Sequence, residues 1–326
     1  MAKPKVFATR PLFEAARAIL DANCDVEYWR QPERIPREEL LLRVKDKEAL
    51  VCLLTERVND ELLHAAPKLR IAANVAVGFD NINVAACTGR GVVATNTPGV
   101  LDETTADFAW TLLMAVARRI GEGEALARSG NWEGWDLDQL VGTDVWGKTL
   151  GLVGFGRIGR AMARRASGFQ MKVLYTDAVR VAESVEQELH AEFRDLNSLL
   201  AESDYVSLHV PLLPETRGLF DGARFSRMKP TAFLINTARG PVVNEAALVL
   251  ALQSGKIAGA ALDVFENEPR IHPGLKRSNV VLAPHIASAS VETRTKMACM
   301  AAENVVALFA GRRPPNLLNP EVLRAG

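Results

Sequence analysis

The stretch VGFGRIG, residues 153–159, decides how the chain is read. Gly154, Gly156 and Gly159 stand in the spacing G-x-G-x-x-G, which alone is weak evidence for a nucleotide-binding turn. Its surroundings raise its weight. Residues 150–153 before it are apolar and short enough for a buried strand. Residues 157–167 after it carry Ile158, Ala161, Met162 and Ala166 at helical spacing. The glycines therefore sit on a strand-to-helix turn, where free backbone N–H groups and the positive end of the helix dipole converge on a pyrophosphate. Gly154 permits the turn, Gly156 lets the phosphates approach, and Gly159 lets helix and strand pack closely. A second strand is expected over 171–175, with Asp177 just past its end. An acid there accepts hydrogen bonds from both adenosine ribose hydroxyls and repels a 2′-phosphate. NAD is thus the expected cofactor, with NADH preferred. NADPH stays possible because Arg180 lies close by.

Outward from the turn, short β-branched runs alternate with longer amphipathic ones. Strands are expected over 5–9, 26–29, 49–54, 69–73 and 92–94, and a helix over 12–21. Another helix opens at Asn59 as its N-cap. Such alternation implies mostly parallel sheets covered on both faces, an α/β fold. After Pro98-Gly99 one long Ala- and Leu-rich helical stretch is expected over 102–129. The segment 130–147, with Trp132, Trp135 and Trp146 among Glu133, Asp136, Asp138 and Asp144, reads as an arm rather than a core element. A second α/β series runs from Lys148 to about Pro284, and a helix with small residues follows over 291–309.

The whole chain sets further bounds. Its 326 residues suffice for two domains, and its 48% hydrophobic content excludes a disordered chain. The formal net charge of zero argues against a nucleic-acid partner. Cys24, Cys52, Cys87 and Cys299 lie far apart without C-x-x-C spacing, so no metal site is expected and free thiols in a reducing cytoplasm are. The N-terminal residues lack the apolar stretch of a signal peptide. No window approaches 20 uncharged apolar residues, so no membrane span is expected.

Hydride transfer to a carbonyl needs a cation for the substrate carboxylate, a proton donor for the developing alkoxide, and an acid to orient and tune that donor. NTARG places Arg239 just beyond the expected strand 232–235. DVFENEP places Glu268 in the loop after 259–264. APHIAS places His285 just after 280–283. All three follow parallel strands at their carboxyl ends, where open α/β sheets bind ligands. Of the other histidines, His64 and His190 read as surface residues and His272 as a loop residue. His209 ends a strand near the cofactor and reads as structural.

With these motifs the chain resembles the D-isomer-specific 2-hydroxyacid dehydrogenases. The likeness rests on NVAVGFDNIN (74–83), GFGRIG, HVPLLPETRGLF (209–220), INTARGPVVNEAAL, ALDVFENEP and PHIASAS, and covers nearly the whole chain. Within the family it most resembles the glyoxylate/hydroxypyruvate reductase branch. The resemblance implies two doubly wound parallel-sheet domains. A Rossmann cofactor domain, 100–288, is inserted into a discontinuous, flavodoxin-like substrate domain made of 1–99 and 289–326. It implies reduction of a small 2-keto acid, glyoxylate or hydroxypyruvate, to the D-2-hydroxy acid. Arg239 resembles the substrate-binding arginine, His285 the acid/base and Glu268 its carboxylate partner. The N–H groups of Val77 and Gly78 would hold the substrate carboxylate, with Trp135 and Ser288 also at the substrate. Thr105, Arg157, Ile158, Asp177, Val210, Thr237, Ala238, Arg239, Asp263 and His285 match cofactor-contact positions, beside the three turn glycines. The long helix and the Trp-bearing arm imply a homodimer in which Trp135 enters the neighbouring subunit's site. Other readings are a 2-ketogluconate- or 3-phosphoglycerate-type dehydrogenase, or an NAD-sensing binding protein of corepressor type. A phosphorylated substrate would want an added basic cluster, and the arm around Trp135 is acidic.

Overall fold

The computed structural model describes residues 2–324. The chain folds as two units, one made of residues up to Leu101 together with those from Ala289 onward, the other of Asp102–Ser288.

In the first unit, β1 (Lys5–Ala8), β2 (Asp25–Tyr28), β3 (Ala49–Cys52), β4 (Ile71–Asn74) and β5 (Val93–Thr95) form a parallel sheet in the order β2-β1-β3-β4-β5. Every residue of β3, β4 and β5 is buried, as expected of a sheet covered on both faces. Phe7, Leu50, Cys52, Ala72 and Ala94 face Leu40, Leu62 and Leu63 on one side. Val6, Ala8, Val51, Ile71 and Ala73 face Ala16 and Leu20, and with them Ala298, Ala301, Ala302 and Val305 of the helix Val291–Phe309, on the other. Asn59 caps the helix Asp60–Ala65 by accepting from the Leu62 N–H, as its sequence predicts. The fully buried Asn319 accepts from the Ala94 N–H (2.8 Å) and donates to the Val92 carbonyl (2.9 Å), fastening the C-terminal segment along β5.

In the second unit, β6 (Thr149–Val153), β7 (Lys172–Thr176), β8 (Ala191–Phe193), β9 (Tyr205–Leu208), β10 (Phe233–Asn236), β11 (Gly259–Leu262) and β12 (Val280–Leu282) form a parallel sheet in the order β12-β11-β10-β9-β6-β7-β8. From β6 the chain builds outward first through β7 and β8, then on the other side through β9 to β12. This doubly wound, Rossmann-type order opens a crevice outside the carboxyl ends of β6 and β9. Both sheets are thus parallel and flanked by helices, the α/β class expected.

The expected single helix over 102–129 is two, Asp102–Ala117 and Ile120–Ser129. The Ala117 carbonyl accepts from the Thr143 N–H (2.8 Å) instead of continuing the helix, and Arg119 takes the left-handed conformation at φ 52°. The first helix buries Ala106, Ala109, Leu112, Leu113 and Val116. The second buries nothing within its own chain. Among the described residues no helix is long and apolar enough to cross a membrane.

Candidate active site

The turn between β6 and the helix Arg157–Ser167 takes the predicted form. Gly154 sits at φ 95°, where a Cβ would lie 2.7 Å from the His209 carbonyl carbon and oxygen. The crevice wall is therefore as close as a bare backbone allows, and any side chain at 154 would push β6 and β9 apart. At Gly159 a Cβ would collide with the Gly154 carbonyl. Gly156 is the opposite case. A Cβ there would meet nothing within 4 Å, so the space in front of it is open, and no side chain caps the helix that starts beside it. An uncapped helix start facing open space is what a pyrophosphate requires.

Asp177 follows β7 directly. Its carboxylate accepts from the Phe155 N–H (2.6 Å) and from the Ala178 N–H (2.7 Å), which holds it beside the glycine turn. Arg157 pairs with Asp102 (2.9 Å), and Ile158 packs against the core. Thr105 is buried on the helix Asp102–Ala117. Val210 follows β9. Thr237 follows β10, and its buried hydroxyl has no hydrogen-bond partner. An orphaned donor at the carboxyl end of a central strand fits a polar ligand group there. Together with the open cradle at Gly156, it makes the residues present a fit for a dinucleotide.

Beyond β10, the buried Asn236 shapes the loop. It accepts from the Ala238 N–H (3.0 Å) and donates to the Arg239 carbonyl (3.1 Å). A Cβ at Gly240 would collide with the Phe265 backbone, so the loop carrying Arg239 lies directly on the loop carrying Glu268. After β12, His285 takes φ 55°. Its N–H donates to the Asp263 carbonyl (2.9 Å), and the Ile286 and Ala287 N–H groups donate to the Asp263 carboxylate (2.8 Å each). The imidazole Nδ1 stands 2.9 Å from Glu268 Oε2, while Glu268 Oε1 accepts from the Phe265 N–H (3.0 Å). Burial alone would raise the Glu268 carboxyl. The His285 hydrogen bond and charge, the Phe265 N–H and the Arg239 charge outweigh it and hold the carboxyl below its usual range. Burial raises the Asp263 carboxyl above the usual range, against the pull of the two amides it accepts from.

The structure thus brings Arg239, Glu268 and His285 to adjacent loops of one sheet edge. Asp263, expected against the cofactor, is fully buried and holds the loop after His285. His209 bonds Ser207 through Nε2 (2.9 Å), and burial pushes its imidazole down to about 3, so it stays neutral at neutral pH. His64 and His190 are exposed, and His272 accepts from the Gly274 N–H in its loop. Ser288 is half-buried and Trp135 is 82% exposed. In the first unit, the Val77 and Gly78 carbonyls accept from Asn96 and Asn74 (2.8 and 2.9 Å), which fixes the peptide planes of that loop. Sequence reasoning missed Asn236. The asparagine signal was present in NTARG, but its neighbour Arg239 carries the more obvious chemistry.

Residues 110–287 match the NAD-binding domain of the D-isomer specific 2-hydroxyacid dehydrogenases. The chain is 52% identical over 325 residues to a glyoxylate reductase of Korarchaeum cryptofilum, covering 99% of this chain and 98% of that one. A solved protein of Thermus thermophilus superposes with a TM-score of 0.91 at 42% identity, covering 96% of this chain and 99% of its own. The NADPH-dependent glyoxylate/hydroxypyruvate reductase of Sinorhizobium meliloti, solved with NADP and malonate, gives 0.85 at 32% identity, over 98% of each chain. Family match, full-length identity and a dinucleotide turn on the same sheet edge as a His–Glu pair agree: the chain belongs to the D-isomer specific 2-hydroxyacid dehydrogenase family and is a nicotinamide-dependent oxidoreductase.

Proposed function

We propose that the protein reduces glyoxylate, and with it hydroxypyruvate, using NADH. The observation that carries this reading is the His285–Glu268 pair at 2.9 Å, one loop away from Arg239. When bound, the nicotinamide supplies the hydride that adds to C2 of the keto acid. Arg239 binds the substrate carboxylate through its planar fork. His285, protonated, gives its proton from Nε2 to the carbonyl oxygen, and in the reverse direction takes it back. Glu268 holds Nδ1 and favours the imidazolium by its charge. Gly154, Gly156 and Gly159 form the pyrophosphate cradle, with Thr105, Arg157, Ile158, Val210, Thr237 and Ala238 around the cofactor.

The preference for NADH is supported by Asp177, whose tethered carboxylate would repel a 2′-phosphate. The Sinorhizobium relative is NADPH-dependent, and a preference for NADH would set this chain apart from it. A homodimer is supported by the arm. Trp132, Trp135, Leu137, Val141 and Trp146 are all more than half exposed there, as is Ile120 on the preceding helix, apolar surface that a second copy would cover. We assign Trp135 to the partner's substrate site, and the four unpaired thiols suit a reducing cytoplasm.

The test is NADH oxidation across glyoxylate, hydroxypyruvate, 2-ketogluconate and 3-phosphohydroxypyruvate. Glyoxylate should give the highest kcat/KM, NADH should exceed NADPH, and hydroxypyruvate should yield D-glycerate. NADH binding without turnover of any keto acid would mark a sensor instead. Sedimentation should show a dimer, and a fully active monomer would overturn the role of Trp135.

A further inference from the structure

Arg180 is the cation of the loop that begins at Asp177, and its position bears on cofactor choice. Its guanidinium is engaged by Glu186. Nε donates to Glu186 Oε1 and Nη2 to Glu186 Oε2, both at 2.8 Å, a bidentate pair. The Phe193 ring lies 5.7 Å from its central carbon. Glu186 is fixed in turn. The Tyr175 hydroxyl donates to its Oε1 (2.5 Å) and accepts from the Val181 N–H (3.2 Å). Tyr175 is fully buried, and the Glu186 side chain is only 10% exposed against 63% for Arg180. The buried acid therefore sets where the exposed cation points. Arg180 and Tyr175 hold the Glu186 carboxyl down at about 2, so the pair is ionised throughout the neutral range.

We propose that Glu186 is a specificity-determining positioning residue: by gripping the Arg180 guanidinium, it withholds from the ribose end of the cofactor the cation best placed to receive a 2′-phosphate. This rests on the assignment of Asp177 to the adenosine ribose. Two devices then act together. Asp177 repels a 2′-phosphate, and Glu186 removes the residue that would neutralise that repulsion. The bidentate pair takes two of the five guanidinium N–H donors, balances the charge and fixes the plane in which the other three point, so the fork cannot turn freely toward a phosphate.

The test is calorimetric binding of 2′,5′-ADP and 5′-AMP, which differ only in the 2′-phosphate. The wild type should bind 5′-AMP more tightly. If it binds 2′,5′-ADP as well or better, the Asp177 assignment fails and takes this proposal with it. Glu186→Gln should tighten 2′,5′-ADP about tenfold, the worth of one charge-assisted hydrogen bond, and leave 5′-AMP within about twofold. In the double variant with Arg180→Ala the gain should vanish. An unchanged 2′,5′-ADP affinity in Glu186→Gln, or a gain that survives the loss of Arg180, overturns the role of Glu186 while leaving Asp177 standing. Arg180→Lys guards against a folding defect at the buried position. A single ammonium cannot span both carboxylate oxygens, so this variant should move the same way by a smaller factor. No change in it also overturns the proposal.

Discussion

At position 285 the backbone takes a left-handed conformation that is uncommon for a residue other than glycine. Asp263 is what holds it, through three N–H groups in succession. The imidazole is thereby aimed by backbone contacts, and Glu268 has only to keep the ring turned and favour its charge. Two variants separate these duties. His285→Ala should lose roughly 10²–10⁴-fold, mainly in kcat. Glu268→Gln can still accept from Nδ1 but no longer stabilises the imidazolium. Reduction needs the protonated ring, so the alkaline limb of its pH–rate profile should move to lower pH. Oxidation needs the neutral ring and should gain at lower pH. Paired profiles in both directions, with chemistry limiting, read this, and a reduction limb that stays or rises would sever Glu268 from His285. The three charged residues were legible because each follows a run that reads as a strand. Asn236 and the buried role of Asp263 were not, because they act on backbone N–H and carbonyl groups, which residue type does not reveal.

Among the elements, the glycine turn was legible almost residue for residue, because each glycine answers a separate steric demand. Those demands differ enough to predict opposite failures. Gly154→Ala would set a methyl 2.7 Å from the His209 backbone at a φ that favours glycine, and should cost about 1–3 kcal/mol of stability. Gly156→Ala meets no protein atom and should cost at most about 1 kcal/mol as a changed N-cap. Its methyl instead enters the open space in front of the turn, which the proposed function gives to the phosphates. NADH affinity should fall about tenfold or more, about 1.4 kcal/mol, with Tm nearly unchanged. Thermal melts beside NADH titrations distinguish the two, and a Gly156→Ala protein that binds NADH normally would displace the cradle from this turn. The break at Arg119 was not legible. Its stretch carries no proline, and the contact that ends the helix comes from Thr143, across a segment with no periodic pattern.

For the molecule as a whole, the parallel α/β class could be read from alternation, since strands buried on both faces are apolar throughout and the helices between them are striped. Strand order could not, because periodicity says nothing of which strands are neighbours. One consequence follows from how the first unit is completed. The face of its sheet formed by Val6, Ala8, Val51, Ile71 and Ala73 is covered partly by the helix Val291–Phe309, and β5 is fastened by Asn319. A ribosome makes these parts last. During synthesis β1–β5 emerge with that face open while the unit Asp102–Ser288 already has all its strands, so the order of folding is expected to reverse the order of emergence. A chain ended at Ser288 freezes that moment. Limited proteolysis of it should leave a resistant fragment covering 102–288 and digest the residues before it. Equal resistance of the first hundred residues would mean that the sheet stands without its last helix, and that nascent chains of this protein need no chaperone to shield it.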